Sequence, residues 1–119
     1  MKDFRTLKVW SRAHALTLTI YKLTREFPKQ ELYALTSQIQ RAAVSIPTNI
    51  AEGCGRDSDA ELKRFSVIAM GSASELEYLL LLAHDLGFLQ TDLYQSTNTE
   101  LVEIRRMLNS FIQTLKANS

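Results

Sequence analysis

Apolar residues recur every three or four positions along almost the whole chain, the spacing that lines one face of an α-helix. Leu7, Trp10, Ala13, Leu16, Ile20, Leu23 and Phe27 form the first stripe, and Pro28, which cannot continue a helix, closes it. The pattern predicts a first helix over about residues 6 to 26. After the Pro28-Lys29-Gln30 break, Leu32, Leu35, Ile39, Ala42, Ile46, Ile50 and Gly53 repeat the spacing and carry a second helix straight through Pro47. A proline inside a helix removes a backbone donor and collides with the carbonyl four residues back, at a cost of about 3 kcal/mol, so its presence marks a bend with a purpose. The Gly53-Cys54-Gly55 triplet is expected to end this helix in the left-handed conformation that glycine adopts readily.

Ser58-Asp59-Ala60-Glu61 has the form of a capping box, in which serine and glutamate side chains each satisfy a free N–H at a helix start. The third stripe runs Leu62, Phe65, Ala69, Ser72, Leu76, Leu79, Ala83 and Leu86, and stops at Gly87. A fourth helix, capped by Thr91, uses Leu93, Thr97, Leu101, Ile104, Leu108, Phe111 and Leu115. Fraying or a local irregularity is expected at Ser96-Thr97-Asn98-Thr99, which are poor helix formers. Nothing alternates with the period of a strand. The pattern predicts an all-α fold, an up-down-up-down antiparallel four-helix bundle over residues 1 to 119 as one domain.

The third helix is apolar on more than one side. Leu79, Leu80, Leu81 and Leu82 point in four directions about 100° apart, and Val67, Ile68 and Met70 lie outside the main stripe. The small residues around Gly71 would let another backbone approach closely, with Glu75 just beyond. Leu80 and Leu82 are therefore expected at a contact between copies of the chain, in a homo-oligomer.

Composition narrows the function classes. With 119 residues and 45% apolar content, the chain can bury a core without disulfides or metals. The single cysteine, Cys54, cannot form an internal disulfide, and the Met-Lys-Asp-Phe-Arg start lacks the apolar segment of a signal peptide, so a cytoplasmic location is expected. The longest wholly apolar run, Leu79 to Ala83, is far short of the ~20 residues that cross a bilayer, and no membrane association is expected. Net charge is only +1, yet residues 1 to 56 hold nine Lys or Arg against four Asp or Glu, while 57 to 119 hold five against nine. A basic first half faces an acidic second half.

Gln38, Arg41, Ser45, Asn49, Glu52 and Arg56 follow helical spacing and make a polar stripe along the second helix, offset from its apolar one. Such a stripe fits a solvated face, a hydrogen-bonded network between helices or subunits, or a phosphate-binding track anchored by two arginines. Its mixture of Asn, Glu and Arg favours the network. Lys8 and Arg12 stand one turn apart on the first helix, and Lys63 and Arg64 begin the third near Arg56. Each basic group is small, but repetition around an oligomer would build a field that a monomer lacks. An enzymatic reading would rest on Cys54 between its two glycines, with no base placed beside it by His14 or His84. Neither histidine belongs to a Glu-x-x-His pair, and no metal site or cofactor is called for. Trp10 and Tyr33 could stack on bases, although packing into the core is the commoner role for such residues.

The run Phe4-Arg5-x-Leu7-x-Val9-Trp10, then Phe27-Pro28-Lys29, Leu35-Thr36-Ser37-Gln38-Ile39, Arg41 through Pro47, Asn49 through Gly53, Gly55-Arg56, Arg64-Phe65 and Gly71-Ser72-x-x-Glu75 resembles the bacterial four-helix bundle proteins encoded in intervening sequences of 23S ribosomal RNA genes. The resemblance spans nearly the whole chain and implies a homopentameric ring. It also implies a fold similar to the accessory variability protein of diversity-generating retroelements, a basic pentamer associated with nucleic acid and a reverse transcriptase. The expected function is a non-enzymatic oligomeric scaffold, associated with RNA or DNA through Lys8, Arg12, Arg41, Arg56, Lys63 and Arg64. Pro47, Asn49, Glu52, Gly71, Glu75, Leu80 and Leu82 would set helix and subunit geometry. The alternative is an interaction module that displays a surface to another protein and binds no nucleic acid.

Overall fold

The computed structural model describes residues 2–118, with side chains described through Lys116. Four helices carry most of the chain: α1 (Lys8–Thr24), α2 (Leu35–Cys54), α3 (Asp59–Asp85) and α4 (Thr91–Asn118), with 3-10 turns at Phe4–Thr6 and Lys29–Glu31. No strand forms among the described residues. The long dimension of 45 Å matches α3 and α4, since 27 or 28 residues at 1.5 Å each span about 40 Å.

Helix ends depart from the periodic pattern where local hydrogen bonds compete with it. The Asp3 carboxylate accepts the Arg5 N–H at 3.0 Å and its carbonyl accepts the Thr6 hydroxyl at 2.7 Å, so a 3-10 turn forms and Leu7 stays extended (φ −89°, ψ 124°). Helix α1 thus starts at Lys8 and ends at Thr24, inside the expected range of 6 to 26. Leu32 does not join the apolar face of α2; it is half exposed after the turn that follows Pro28. At the start of α3, Ser58 Oγ accepts the Glu61 N–H at 3.1 Å, while the Glu61 carboxylate turns to Arg64. Helix α4 is continuous through Ser96–Thr99, where burial of Thr97 and Leu101 outweighs weak propensity.

Neither Gly53 nor Gly55 is left-handed. The single positive φ among the described residues is Gly87, at 82°, where Phe88 N–H bonds Ala83 O and Gly87 N–H bonds His84 O, both at 2.9 Å, in a Schellman closure of α3. Gly53 serves packing instead. A Cβ built there would meet Phe65 Cβ at 2.9 Å and Leu62 Cα at 3.3 Å, so only glycine lets α2 and α3 approach this closely.

Pro47 is buried inside α2. It has no N–H to offer the Ala43 carbonyl one turn back, and the hydroxyl of Thr17 on α1 lies 3.2 Å from that oxygen while also reaching Ala13 O at 2.9 Å. The loss within one helix thus becomes a tie between two. Ile20, Ile39, Ile46, Ile50, Leu62, Leu76, Leu80, Leu101, Ile104 and Leu108 fill the core.

Leu80 is 1% exposed; it is a core residue and not the surface contact the leucine run suggested. Leu82 is half-buried. What α3 leaves to solvent is Val67, Ile68, Tyr78 and Leu81, with Gly71 and Ser74 between them. On the apolar stripes, Leu86 and Leu93 are exposed as well, whereas Ile112 is buried in place of half-buried Phe111. By length and composition α3 could cross a membrane, which a count of uninterrupted apolar residues does not register. Its buried face packs on α2 and α4, which is the behaviour of a core helix.

Two substitutions probe these contacts. Gly53→Ala should lower the urea midpoint, because overpacking against backbone costs about 1–3 kcal/mol and exceeds the ~1 kcal/mol gained in helix propensity. Thr17→Val should cost about 1–3 kcal/mol by leaving the Ala43 carbonyl unpaired. A raised midpoint for Gly53→Ala would show that the helices separate without penalty.

Candidate functional site

The polar stripe of α2 divides into two parts with different surroundings. In its middle, the Asn49 amide donates to Ser45 O (2.8 Å) and Ser45 Oγ (2.9 Å), and Ser45 Oγ meets Ser72 Oγ of α3 at 2.7 Å. This chain of short side chains crosses from α2 to α3 where small residues let the helices come close. Asn49 itself bonds only within α2, and it reaches α3 through the Ser45 hydroxyl. Beside it, Gln38, Arg41, Ser45 and Glu75 line an open recess of about 370 Å³. It adjoins a second recess of about 330 Å³, walled by Tyr33, Leu82 and Leu86. Arg41 and Glu75 are exposed, and neither makes an ion pair or side-chain hydrogen bond among the described residues.

At the far end of the stripe, two arginines converge on one aromatic ring. The Arg56 guanidinium carbon lies 4.9 Å from the centroid of Phe65 and that of Arg64 lies 4.5 Å from it, within the range of cation–π attraction. Arg56 pairs with Glu52 at 3.0 Å, one helical turn back, and Arg64 with Glu61 at 2.9 Å. The hydrogen bond from Arg64 holds the Glu61 carboxyl below the usual carboxylate range, and Glu61 in turn raises Arg64. Lys63, which precedes Arg64 in the sequence, is half-buried and makes no ion pair among the described residues. Glu52 pairs with Arg56 just past the end of α2, and its charge also helps raise Arg64 on α3. Phe65 is the residue that the charge pattern alone did not single out; the signal was an arginine directly preceding it on the first turns of α3.

The remaining basic candidates lie elsewhere. Arg12 forms a two-pronged pair with Glu100 of α4 (2.7 and 2.9 Å) and its third nitrogen reaches the Met107 sulfur at 3.7 Å. Its fork is committed to joining α1 to α4. Lys8, one turn earlier, is exposed and unpaired. The structure thus gathers Arg56 and Arg64 on Phe65, places Arg41 in the α2–α3 recess, and uses Arg12 for packing.

Cys54 is 1% exposed, and burial pushes its thiol up from the ordinary range, which favours the unreactive protonated form. The recess it shares, about 80 Å³, is lined by Lys2, Arg56, Asp57, Ser58 and Asp59 among others and by no histidine. His14 stacks on Trp10 with ring centroids 5.0 Å apart, and His84 stacks on Tyr94 at 4.6 Å. Trp10, half-buried, also meets Phe4 at 4.8 Å, whereas Tyr33 is 93% exposed and does not enter the core. Among the described residues no group of three or more His, Cys, Asp or Glu could hold a metal ion.

Comparison with known proteins places this geometry. The family model described as 23S rRNA-intervening sequence protein matches residues 5–110. A solved structure from Bacteroides thetaiotaomicron, described as a protein of unknown function from the S23 ribosomal protein family, is similar with a TM-score of 0.79 and 29% identity, over 87% of this chain and 97% of that one. No curated protein matches the chain.

The Arg12–Glu100 pair carries a pH signature. The hydrogen bond from Arg12 holds Glu100 below its unfolded value, so its stabilisation is fully present above the unfolded carboxylate value of about 4.3 and is lost as pH falls through the lower folded value. Arg12→Met should therefore be less stable than wild type at pH 7, with the gap closing below about pH 4. Urea midpoints measured from pH 7 to 3 test this, and a gap of constant size would show that the pair is not its source.

Proposed function

The chain belongs to the 23S rRNA-intervening sequence protein family, and from that premise we propose that it is a non-enzymatic, oligomeric helical scaffold that associates with RNA in the cytoplasm. The observation that carries the nucleic-acid part is the pair of arginines on Phe65. Stacking holds both guanidinium planes in place, so little side-chain freedom is lost when a phosphate replaces the carboxylate each one pairs with. About half of each side chain remains open to solvent (45% for Arg56, 56% for Arg64). Arg41 adds an uncommitted charge in the groove.

An up-down-up-down arrangement is supported by contacts whose residue numbers run in opposite directions on neighbouring helices. Thr17 and Thr24 of α1 meet Ala43 and Gln40 of α2. Ser72 meets Ser45, while a side chain at Gly53 would abut Leu62 and Phe65. Glu77 meets Arg105 and His84 meets Thr91.

Self-association is supported by the exposed side of α3. Val67, Ile68, Tyr78 and Leu81 are each more than 40% exposed, and nothing lies within 4 Å of a Cβ built at Gly71. Unpaired Arg41 and Glu75 flank this face with opposite charges that a second copy can match. A ring of five copies is the assembly that the family resemblance implies. In it the arginine cluster repeats around the circumference and phosphate contacts add.

A second reading, a protein-interaction module without nucleic acid, is favoured by the carboxylates. Glu52 and Glu61 neutralise the two arginines within the chain, and a solvent-exposed ion pair is no evidence for a ligand by itself.

Light scattering coupled to gel filtration, with and without structured RNA, separates these readings. The double variant Arg56→Ala and Arg64→Ala should weaken RNA binding and reduce the slope of log affinity against log salt by about 1.4–1.8. Binding that ignores both salt and the double variant would remove the RNA reading and leave the interaction module. Gly71→Ala distinguishes an isolated bundle from an assembly: in a monomer it should add up to about 1 kcal/mol of stability through helix propensity, whereas a partner packed on Gly71 makes it dissociate the oligomer. Leu81→Glu should likewise yield monomer, and a monomeric wild type at micromolar concentration would overturn the assembly.

A further inference from the structure

A recess of about 220 Å³ lies between the end of α1, the Phe27-Pro28 turn and the beginning of α2. The sequence pattern gave no hint of it, and it does not include the Arg56–Phe65–Arg64 cluster. Phe27 and Leu32 supply its apolar walls, Tyr21 stands at it 42% exposed, and Arg25 and Lys29 bring two cations with no ion pair among the described residues. No carboxylate lines it. An anion entering the recess therefore meets uncompensated positive charge, unlike one approaching Arg56 or Arg64.

Its wall also carries an unpaired polar group. Thr36 is 3% exposed, and its hydroxyl oxygen is buried without a hydrogen-bond partner. Thr17 and Thr24 satisfy theirs on the carbonyl four residues back. For Thr36 that position is Leu32, which lies before α2 begins. A buried hydroxyl with no partner is costly and needs an explanation, and a ligand that bonds to it in the recess is one. Beside it, Gln40 donates its amide N–H to Thr24 Oγ1 at 3.0 Å, which holds the amide in place and leaves its carbonyl oxygen as an acceptor.

Two cations, an aromatic ring, apolar walls and a fixed pair of hydrogen-bonding groups ask for a ligand that is anionic at one end and flat, with a polar edge, at the other. We propose that this recess binds a single nucleotide, with its phosphate on Arg25 and Lys29, its base against Tyr21 and the base edge on Thr36 and Gln40. The volume suits one base and not an extended ligand, since pockets for drug-sized molecules run to about 300–1,000 Å³. Single-stranded RNA is read in this manner, through unstacked bases laid on aromatic side chains, and a free mononucleotide presents the same chemistry.

Amide NMR of the full-length protein, titrated in turn with each of the four ribonucleoside 5′-monophosphates, a mixed-sequence single-stranded RNA and sodium phosphate, tests the assignment. Nucleotide or RNA should shift Tyr21, Thr36 and Gln40, and saturation by mononucleotide alone or by RNA alone identifies which source the site takes. Thr36→Val should weaken that binding about tenfold while keeping or raising the thermal midpoint, because the hydroxyl has no partner in the free protein. Tyr21→Ala should weaken it as well, and Arg56→Ala with Arg64→Ala should leave the mononucleotide response intact whatever it does to RNA affinity. The proposal is overturned by equal shifts from phosphate alone, by no shifts at millimolar nucleotide, by affinity unchanged in both Thr36→Val and Tyr21→Ala, or by a lowered midpoint in Thr36→Val.

Discussion

The close approach of α2 to α3 governs the rest of the molecule. Gly53 against Leu62 and Phe65, and the Ser45–Ser72 hydroxyl contact at 2.7 Å, bring two long helices nearer than larger side chains would permit. At such separation every volume change is felt, because protein interiors are packed as densely as organic crystals. Pro47 lies within the same stretch of α2, and its missing donor is answered from α1 by Thr17. One segment of about ten residues thus fixes α2 relative to both of its neighbours.

This packing also explains how the sides of α3 are allotted. With small residues such as Ala69, Ala73 and Ala83 facing inward, bulky residues are free to lie on the opposite side, where Val67, Ile68, Tyr78 and Leu81 meet solvent. Large apolar residues exposed along one side of a helix in this number, with only the small Gly71 and Ser74 between them, suit a covered surface better than a free one. The neighbouring groove holds Arg41 and Glu75 without partners, so the features that support self-association occupy one side of the molecule. The arginine cluster at the α2–α3 corner stands apart from that side in sequence and depends on the same seam, since Phe65 is held in place by its contact with Gly53.

The two basic regions differ in how their charge is disposed. At the corner, each guanidinium is balanced by a carboxylate one turn away and steadied by the Phe65 ring, an arrangement that preorganises geometry at the expense of field strength. In the recess by Pro28, Arg25 and Lys29 are unbalanced and lie near an unsatisfied hydroxyl. Geometry commends the first region and unmet valence the second.

Periodicity alone determined that the chain is helical, where four helices lie, and that Pro47 sits within the second, because helix spacing and breaker residues are local properties. The family was legible in residue identities and not in periodicity, through motifs that run from Phe4 to Glu75. Periodicity could not assign Leu80 to the core and Leu81 to solvent, since four consecutive leucines look alike until neighbouring helices choose among them. Nor could it show that Gly53 is needed for contact and not for a turn, that Arg12 is occupied by Glu100, or that Thr17 bonds the carbonyl Pro47 leaves free. Those outcomes depend on pairs of residues far apart in sequence, and only tertiary packing decides which side chains are near enough to share a hydrogen bond, a charge or a void.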